Sequence, residues 1–459
     1  MTPKIKKKQP VWAKLDNTAL LFPVISTEGM TSVYRESVSL TEDVDGELLQ
    51  QALEKLLPQF LIFRMRLRMG LFWYYFEEND RPVPKVREEE LYPGAYINKS
   101  RNNHYMFRVT YYKKRINLEV FHALTDGYGG LVFLKELAYQ YLRLAHPEEY
   151  AGEKDRISSG IFMDMEDSYL KNYKKGASHD TAYGSKKALV IKGERRPKGE
   201  LNVMHGYFKV DELKAAAKKY GLTINQYLVG NYVYAIYREY LKAGTSKLPI
   251  SCCVPVDLRS RYESHTMKNF FVIIASKFLP TQESYSREEV LKIASDSLKE
   301  QMDPQNLDNI LSYNVSNEQN RFLRPIPIFI KNIAIRSVYH GIINGTTATM
   351  TNIGNVVLRE PYQKYVEHFY AMLNMSKGQD LKGAIVSCNG TLILTFTTRL
   401  VDVSIQKRFF RLIAGDGVEV AVETNDVIPD EETENKGVRA RNARKKEKKK
   451  KKRNNRKNK

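Results

Sequence analysis

Cysteine is scarce in this chain. Cys252, Cys253 and Cys388 are the whole complement of 459 residues, two of them are adjacent, and an odd number cannot form a complete disulfide set. That excludes a disulfide framework and favours a reducing compartment, so a cytoplasmic location is expected. Long apolar runs are also missing, and none approaches the ~20 residues that a membrane span needs. The opening "MTPKIKKKQPVW" lacks the apolar stretch of a signal peptide, so neither secretion nor a transmembrane segment is expected. There is no Walker glycine-lysine loop, HExxH, CxxC pair or GxSxG elbow, which speaks against nucleotide hydrolases, zinc enzymes and serine hydrolases. The histidines outside one short motif are isolated, so no metal site is expected, and no short tandem repeat is present.

What is there is an ordinary globular composition, 42% apolar and 27% charged, in a chain long enough for two domains. The formal charge of +20 invites a nucleic-acid reading, but its placement argues otherwise. Residues 439–459 hold 14 Lys and Arg against one Glu, and Lys4, Lys6, Lys7 and Lys8 add four more charges, which leaves the body between them close to neutral. The lysine-rich arm has no aromatic residue to stack on bases and no apolar face to pack, so it is expected to be disordered. It suits an anionic partner, RNA or a membrane surface, and equally a solubilising tail with no dedicated partner.

Along the chain, strand and helix signals alternate. "SVYRESVSL" reads as a strand, "DVDGELLQQALEKLL" as an amphipathic helix, and "LIFRMRLRMGLFWYYFEE" as a hairpin turning near Gly70. Strands follow at "HYMFRVTYYK" and "RINLEVFH", then a long helix from about Gly129 to His146. Residues 150–200 lose periodicity and read as a crossover. The second half opens with the strand "MHGYFKV", a helix starting at Asp211 and closed by Gly221, and a second helix over "TINQYLVGNYVYAIYREYL". "KLPISCCVPVDLR" and "NFFVIIASKFL" read as buried strands. Helical material spans 286–343. Within it "PIPIFIKNIAIRSVYHGII" is apolar with Lys331 and Arg336 interspersed, which fits a core helix or a tunnel wall, with an interfacial helix as the alternative. "TTATMTNIG", "YVEHFYAML", "GAIVSCNG" and "TLILTFTTR" are expected to form one late sheet, followed by a helix near 403–414 and the strand "GVEVAVET". The expected division is a basic extension over 1–10, a first subdomain over 11–180, a linker over 181–200, a second subdomain over 201–428 and a tail over 429–459.

The densest chemistry lies in "RINLEVFHALTDGYGG". Ile116, Leu118, Val120 and His122 share one strand face, so His122 continues an inward-pointing row and stands where the strand gives way to a turn. Gly127, Gly129 and Gly130 let main chain or ligand approach closely there. On local physics alone His122 is either a base in a cleft or a satisfied core histidine, and Asp126 is equally an N-cap for the following helix.

"HALTDG" resembles the HxxxDG signature of the acyltransferase superfamily that includes chloramphenicol acetyltransferase, the plant BAHD enzymes, alcohol acetyltransferases and the condensation domains of peptide synthetases. "VPVDLRSRYESHTMKNFF" resembles the segment of that superfamily in which an Asp-x-Arg-x-Arg element precedes an Asn at a strand start. "TNIGNV" resembles an Asn-Gly turn near the interdomain channel, and "WAKLDNTALLFP" with "LFWYYFEEN" is similar to bacterial alcohol acetyltransferase-like members. These segments span most of residues 11–425 in the expected order. The DFGWG motif of the plant enzymes and the doubled histidine of condensation domains are absent, which argues against those two branches.

The resemblance implies a mixed α/β fold (α+β mixed sheets) of two chloramphenicol acetyltransferase-like subdomains with a channel between them. It implies His122 as general base, Asp126 and Gly127 in the loop that presents it, and Arg259 as the partner that holds Asp126, with Arg261 the less favoured choice. Thr349, Thr351 and Asn352 are candidates for the oxyanion or the channel wall, and Asn269 closes the strand beside the channel. No tightly bound cofactor is implied. The donor is an acyl-CoA, the acceptor a small alcohol or amine. Two alternatives stand beside this reading: a condensation-type enzyme fed by a carrier-protein thioester, and a non-catalytic binding module localised by its basic tail.

Overall fold

The computed structural model describes residues 11–153, 164–176, 187–197, 199–319, 322 and 324–425. The basic extension, residues 181–186 and 198 of the linker, and the lysine-rich tail lie outside the described residues. In chain order the first half runs β1 (Trp12–Lys14), α1 (Phe22–Ile25), β2 (Val33–Leu40), α2 (Gly46–Leu56), β3 (Met65–Met69), β4 (Tyr74–Glu78), β5 (Arg87–Glu88), β6 (Phe107–Tyr112), β7 (Arg115–Phe121) and α3 (Gly127–Ala145). It continues through α4 (Ser168–Lys171), β8 (Asn202–Lys209), α5 (Val210–Lys219), α6 (Ile224–Glu239), β9 (Ile250–Asp257), α7 (Arg259–Tyr262), β10 (Phe271–Phe278), α8 (Arg287–Gln301), α9 (Pro304–Gln319) and α10 (Ile328–Ile342). The last elements are β11 (Ala348–Val356), α11 (Glu360–Gln363), β12 (Val366–Met372), β13 (Leu381–Cys388), β14 (Thr391–Thr398), α12 (Ser404–Gly415) and β15 (Ala421–Thr424).

The strands form three sheets, ordered β1-β4-β3, β12-β2-β7-β6-β5 and β10-β9-β11-β13-β14-β8-β15. The largest is mixed, since β11 runs parallel to both β9 and β13 while the other pairs recorded in it are antiparallel. One face of β13, carrying Leu381 and Ile385, packs into a core with α6 and α12; the other, carrying Ala384, Val386 and Cys388, joins a second core built on β2, β7, α2 and α3. The alternation of the strand thus serves two cores from one sheet.

Two expectations are corrected. "YVEHFYAML" does not join the late sheet: β12 pairs antiparallel with β2, Phe369 opposite Val38 and Tyr370 opposite Ser37. Every residue of β2 is buried, so its backbone polar groups need a neighbour on both edges; β7 supplies one and β12 the other. The second correction concerns α10, which is not a core helix. It rests on the body through Ile328 and Ile335 and turns Phe329, Ile333 and Val338 outward. A smaller difference is at α5, whose N-cap is Lys209, with Asp211 inside the first turn.

Candidate active site

The β2–β7 ladder ends where His122 N donates to Ser32 O at 2.9 Å, so the imidazole stands just beyond the strand in the turn before α3. Its ring is held by stacking on Phe22, 4.5 Å between centroids at 14°, and by the edge of Tyr34 at 5.0 Å. Thr125 Oγ1 ties the turn across to Met267 O at 2.6 Å. The approach is so close that a Cβ on Gly129 would fall 2.0 Å from Thr125 Oγ1, and one on Gly130 would fall 2.6 Å from a Glu36 carboxyl oxygen. Glycine is required at both places by space.

Asp126 caps α3 and also binds Arg259; the two sequence readings hold together. Its Oδ1 accepts from Gly129 N at 3.3 Å and from Arg259 Nη2 at 3.0 Å, and its Oδ2 accepts from Arg259 Nη2 at 2.9 Å and from Phe270 N at 2.9 Å. Arg259 spends its other donors on Thr266 O, Lys268 O and Asp257 Oδ1, and its guanidinium lies 4.4 Å from the Tyr128 ring centroid. Both partners of the pair are buried, so the hydrogen bonds that surround them are what makes the burial tolerable. Arg261 goes elsewhere, to Pro304 O and Asp308 Oδ1.

Asn269 stands directly against the histidine. Its Oδ1 is 3.1 Å from His122 Nδ1, while its backbone N and Nδ2 both donate to Asp16 Oδ2, at 3.3 and 3.2 Å. With the amide nitrogen spent on Asp16, the amide oxygen faces the imidazole, which places the proton on Nδ1 and leaves the Nε2 lone pair free. Burial lowers the His122 pKa below the usual histidine value, against the opposing pull of a hydrogen bond to its own main chain, the Asp126 charge and the Asn269 contact. Asp16 is itself pushed up to about 7 by burial.

The β11 candidates divide. Thr349 and Thr351 lie opposite Lys382 and Ala384, on the face of the sheet turned to the core that holds the His122 loop, and Ile353 in the bulge that follows packs on the same core, its Cδ1 3.3 Å from where a Cβ on Gly127 would be. Thr349 Oγ1 donates to Gln379 Oε1 at 3.1 Å. Asn352 is exposed and accepts from Gly354 N at 2.9 Å, the contact of a turn residue.

Several residues of the site were not singled out in the sequence. Asp16 and Phe22 both lie in "WAKLDNTALLFP", the segment whose resemblance was noted without assigning either. Glu36 is buried beneath the first turn of α3 with neither carboxyl oxygen hydrogen-bonded among the described residues, and burial raises its pKa well above the carboxylate range, helped by the Asp126 charge. Lys382 lies across the ladder from Thr349, buried, with Nζ donating to Ser376 Oγ at 2.6 Å; burial lowers its pKa to about 8. Among the described residues no group of three or more His, Cys, Asp or Glu is placed to hold a metal ion. No helix among them is long and apolar enough to cross a membrane.

No protein-family model matches the chain, and no curated protein matches it by sequence. Solved structures do match. TRI101 of F. graminearum complexed with ethyl coenzyme A is similar with a TM-score of 0.60 at 11% identity, over 90% of this chain and 100% of that one. TRI3, a trichothecene 15-O-acetyltransferase of Fusarium sporotrichioides, gives 0.57 at 11% over 89% and 94%. The first condensation domain of the calcium-dependent antibiotic synthetase gives 0.59 at 13% over 88% and 96%. The chain has the mixed α/β fold that these acetyltransferases and condensation domains share, the fold of the superfamily that "HALTDG" and its companion segments resemble.

Proposed function

We propose that this protein is an acyltransferase that moves an acyl group, acetyl in the simplest case, from a coenzyme A thioester to the hydroxyl or amine of a small acceptor, with His122 as general base. The observation that carries the reading is the chain His122–Asn269–Asp16, which leaves Nε2 unprotonated within a fold shared with TRI101, solved with ethyl coenzyme A, and with the acetyltransferase TRI3.

In this mechanism acceptor and thioester are present together. Nε2 takes the acceptor proton as the oxygen or nitrogen attacks the thioester carbonyl, and the C–S bond of the tetrahedral adduct then breaks as the imidazolium returns that proton to the departing sulfur. No covalent acyl-enzyme forms. The transient oxyanion needs a donor aimed at it, and Thr351, Thr349 or a backbone N–H of β11 is the candidate on the wall facing His122. Asp126, Arg259 and Asn269 act as positioning residues, holding the loop and the tautomer.

A carrier-protein thioester is the second reading for the donor, favoured by the likeness to condensation domains. Thiol release from acetyl-CoA and longer acyl-CoAs, with and without mixed alcohol and amine acceptors, tests the first reading, and a pantetheine-loaded carrier as obligatory donor would select the second. If neither donor releases thiol faster with wild type than with His122→Ala, the acyltransferase reading falls.

A further inference from the structure

α10 carries its apolar residues on the wrong side for a soluble helix. Phe329, Ile333 and Val338 are 62%, 66% and 65% exposed. The β3–β4 turn abuts its N-terminus, with Ile328 N donating to Leu71 O at 2.8 Å and Lys331 Nζ to Phe72 O at 2.9 Å. That turn adds Leu71 at 67% and Trp73 at 51%, and Phe322 just ahead of the helix is 88% exposed. Phe329, Ile330 and Ile333 fall within about 100° of one another around the helix, with Val338 farther round the exposed side, and apolar side chains of this size gathered there exceed the scatter of single exposed apolar residues that any surface carries.

The charges carried by the α10 segment itself have one sign. From residue 319 to 359 the chain contains no Asp or Glu, while Arg324, Lys331 and Arg336 lie in or beside α10. The nearest carboxylates on β4, Glu77 and Glu78, are paired with Arg66, Arg68 and Arg64. Lys331 Nζ is spent on Phe72 O and Arg324 O, which leaves the exposed Arg324 and Arg336 as the cations beside the anchors; an anionic bilayer surface accepts such a pairing, since the anchors enter the acyl boundary and the arginines meet the headgroups. The patch connects to the histidine through α1. Arg336 Nε donates to Val24 O in α1 at 3.0 Å, and α1 begins with Phe22, whose ring stacks on His122.

We propose that α10 and the β3–β4 turn form a docking face for anionic lipid bilayers, and that the acceptor is a lipophilic alcohol or amine taken up from the bilayer beside α1. The docking stands on the surface alone; the acceptor class rests on the acyltransferase reading. Binding is therefore measured without catalysis first.

The chain has two tryptophans, Trp12 and Trp73, so a Trp12→Phe background makes Trp73 the sole reporter on the face. With full-length protein and vesicles of phosphatidylcholine containing phosphatidylglycerol, sedimentation with the vesicles and a blue shift of Trp73 emission are expected. Phe329→Glu with Ile333→Glu should lower the bound fraction about tenfold or more, because each anchor kept out of the bilayer forfeits the burial of a large apolar side chain. Val338→Glu repeats the test at a separate position should the double variant lose its melting transition. Deleting residues 439–459 should leave the blue shift in place. An acceptor presented in vesicles should then react more slowly with the double variant while a water-soluble acceptor reacts at the wild-type rate.

The proposal is overturned by an unshifted Trp73 spectrum, or by sedimentation that the tail deletion abolishes and the Glu variants leave intact. A lipid-free dimer that the same variants dissolve would also overturn it, assigning the face to a second copy of the chain. Vesicle binding with no thiol release from any donor would leave the docking standing and remove the acyltransferase reading.

Discussion

Removing Arg259 should reveal how much the presentation of His122 depends on one buried ion pair. In Arg259→Ala the Asp126 carboxylate keeps its bonds from Phe270 N and Gly129 N but loses its guanidinium partner, leaving a buried charge half compensated. Breaking a buried pair from one side costs about 3–5 kcal/mol, and the two surviving backbone donors place this case near the lower end, about 3 kcal/mol. Arg259→Lys keeps the charge but cannot reach Asp126, Thr266 O, Lys268 O and Asp257 together, because the planar fork is gone, and should cost roughly half as much. Asp257→Ala is the control on the same arginine: that carboxylate is 49% exposed, so its loss should cost no more than about 1 kcal/mol. Urea denaturation midpoints at a shared m value give the stability order, and kcat/KM gives the catalytic effect. A displacement of about 1 Å in the His122 loop corresponds to about a hundredfold loss of rate. The reasoning is refuted if Arg259→Ala costs less than about 1 kcal/mol, or if Asp257→Ala costs as much as Arg259→Ala.

Three further predictions follow from the same geometry. Burial lowers the His122 pKa, so the acidic limb of the kcat/KM profile should fall below the ordinary histidine value of ~6.5; a limb above that value would contradict the burial argument. Asn269→Ala frees the imidazole to adopt the other tautomer and should lower kcat by about 10- to 100-fold, and because it also takes the Nδ2 donor from buried Asp16 it should lower the melting temperature, so kcat is read by steady-state kinetics well below the melt of the variant. Glu36 is held neutral in the folded chain while the unfolded one ionises near pH 4.5, so the folded state binds the extra proton and stability falls as pH rises above that value. Glu36→Gln should raise the melting temperature at pH 7 and flatten that slope, and an unchanged slope would argue against a neutral Glu36.

The strands around the site were legible because alternation marks them locally: "SVYRESVSL" and "RINLEVFH" became β2 and β7 with His122 at the end of the row. Asp126 was named as an N-cap candidate four residues after His122, and Arg259 only through the resemblance that "VPVDLRSRYESHTMKNFF" carries. Asp16 is 253 residues from the Asn269 it holds, and nothing in an Asp two residues beyond a tryptophan-led strand announces such a contact. Glu36 and Lys382 look in the sequence like the outward residues of half-buried strands, and only the approach of α3 to β2 and of β13 to the first core encloses them. The same limit misplaced β12, since sheet neighbours are settled by which edge lacks a partner, a tertiary fact. α10 was misjudged because an apolar helix carries no sign in its sequence of which side the body will cover.

The measurement that bears most directly on the account is the acceptor-dependent rate of thiol release from acyl-CoA at pH 7, for wild type and His122→Ala side by side, with a thermal melt of each. The account predicts that both melt cooperatively and that the variant loses about 10²–10⁴ of the rate, the usual contribution of a positioned general base. Equal rates from two folded proteins would contradict it, and the imidazole at the end of β7 would then have no part in the chemistry.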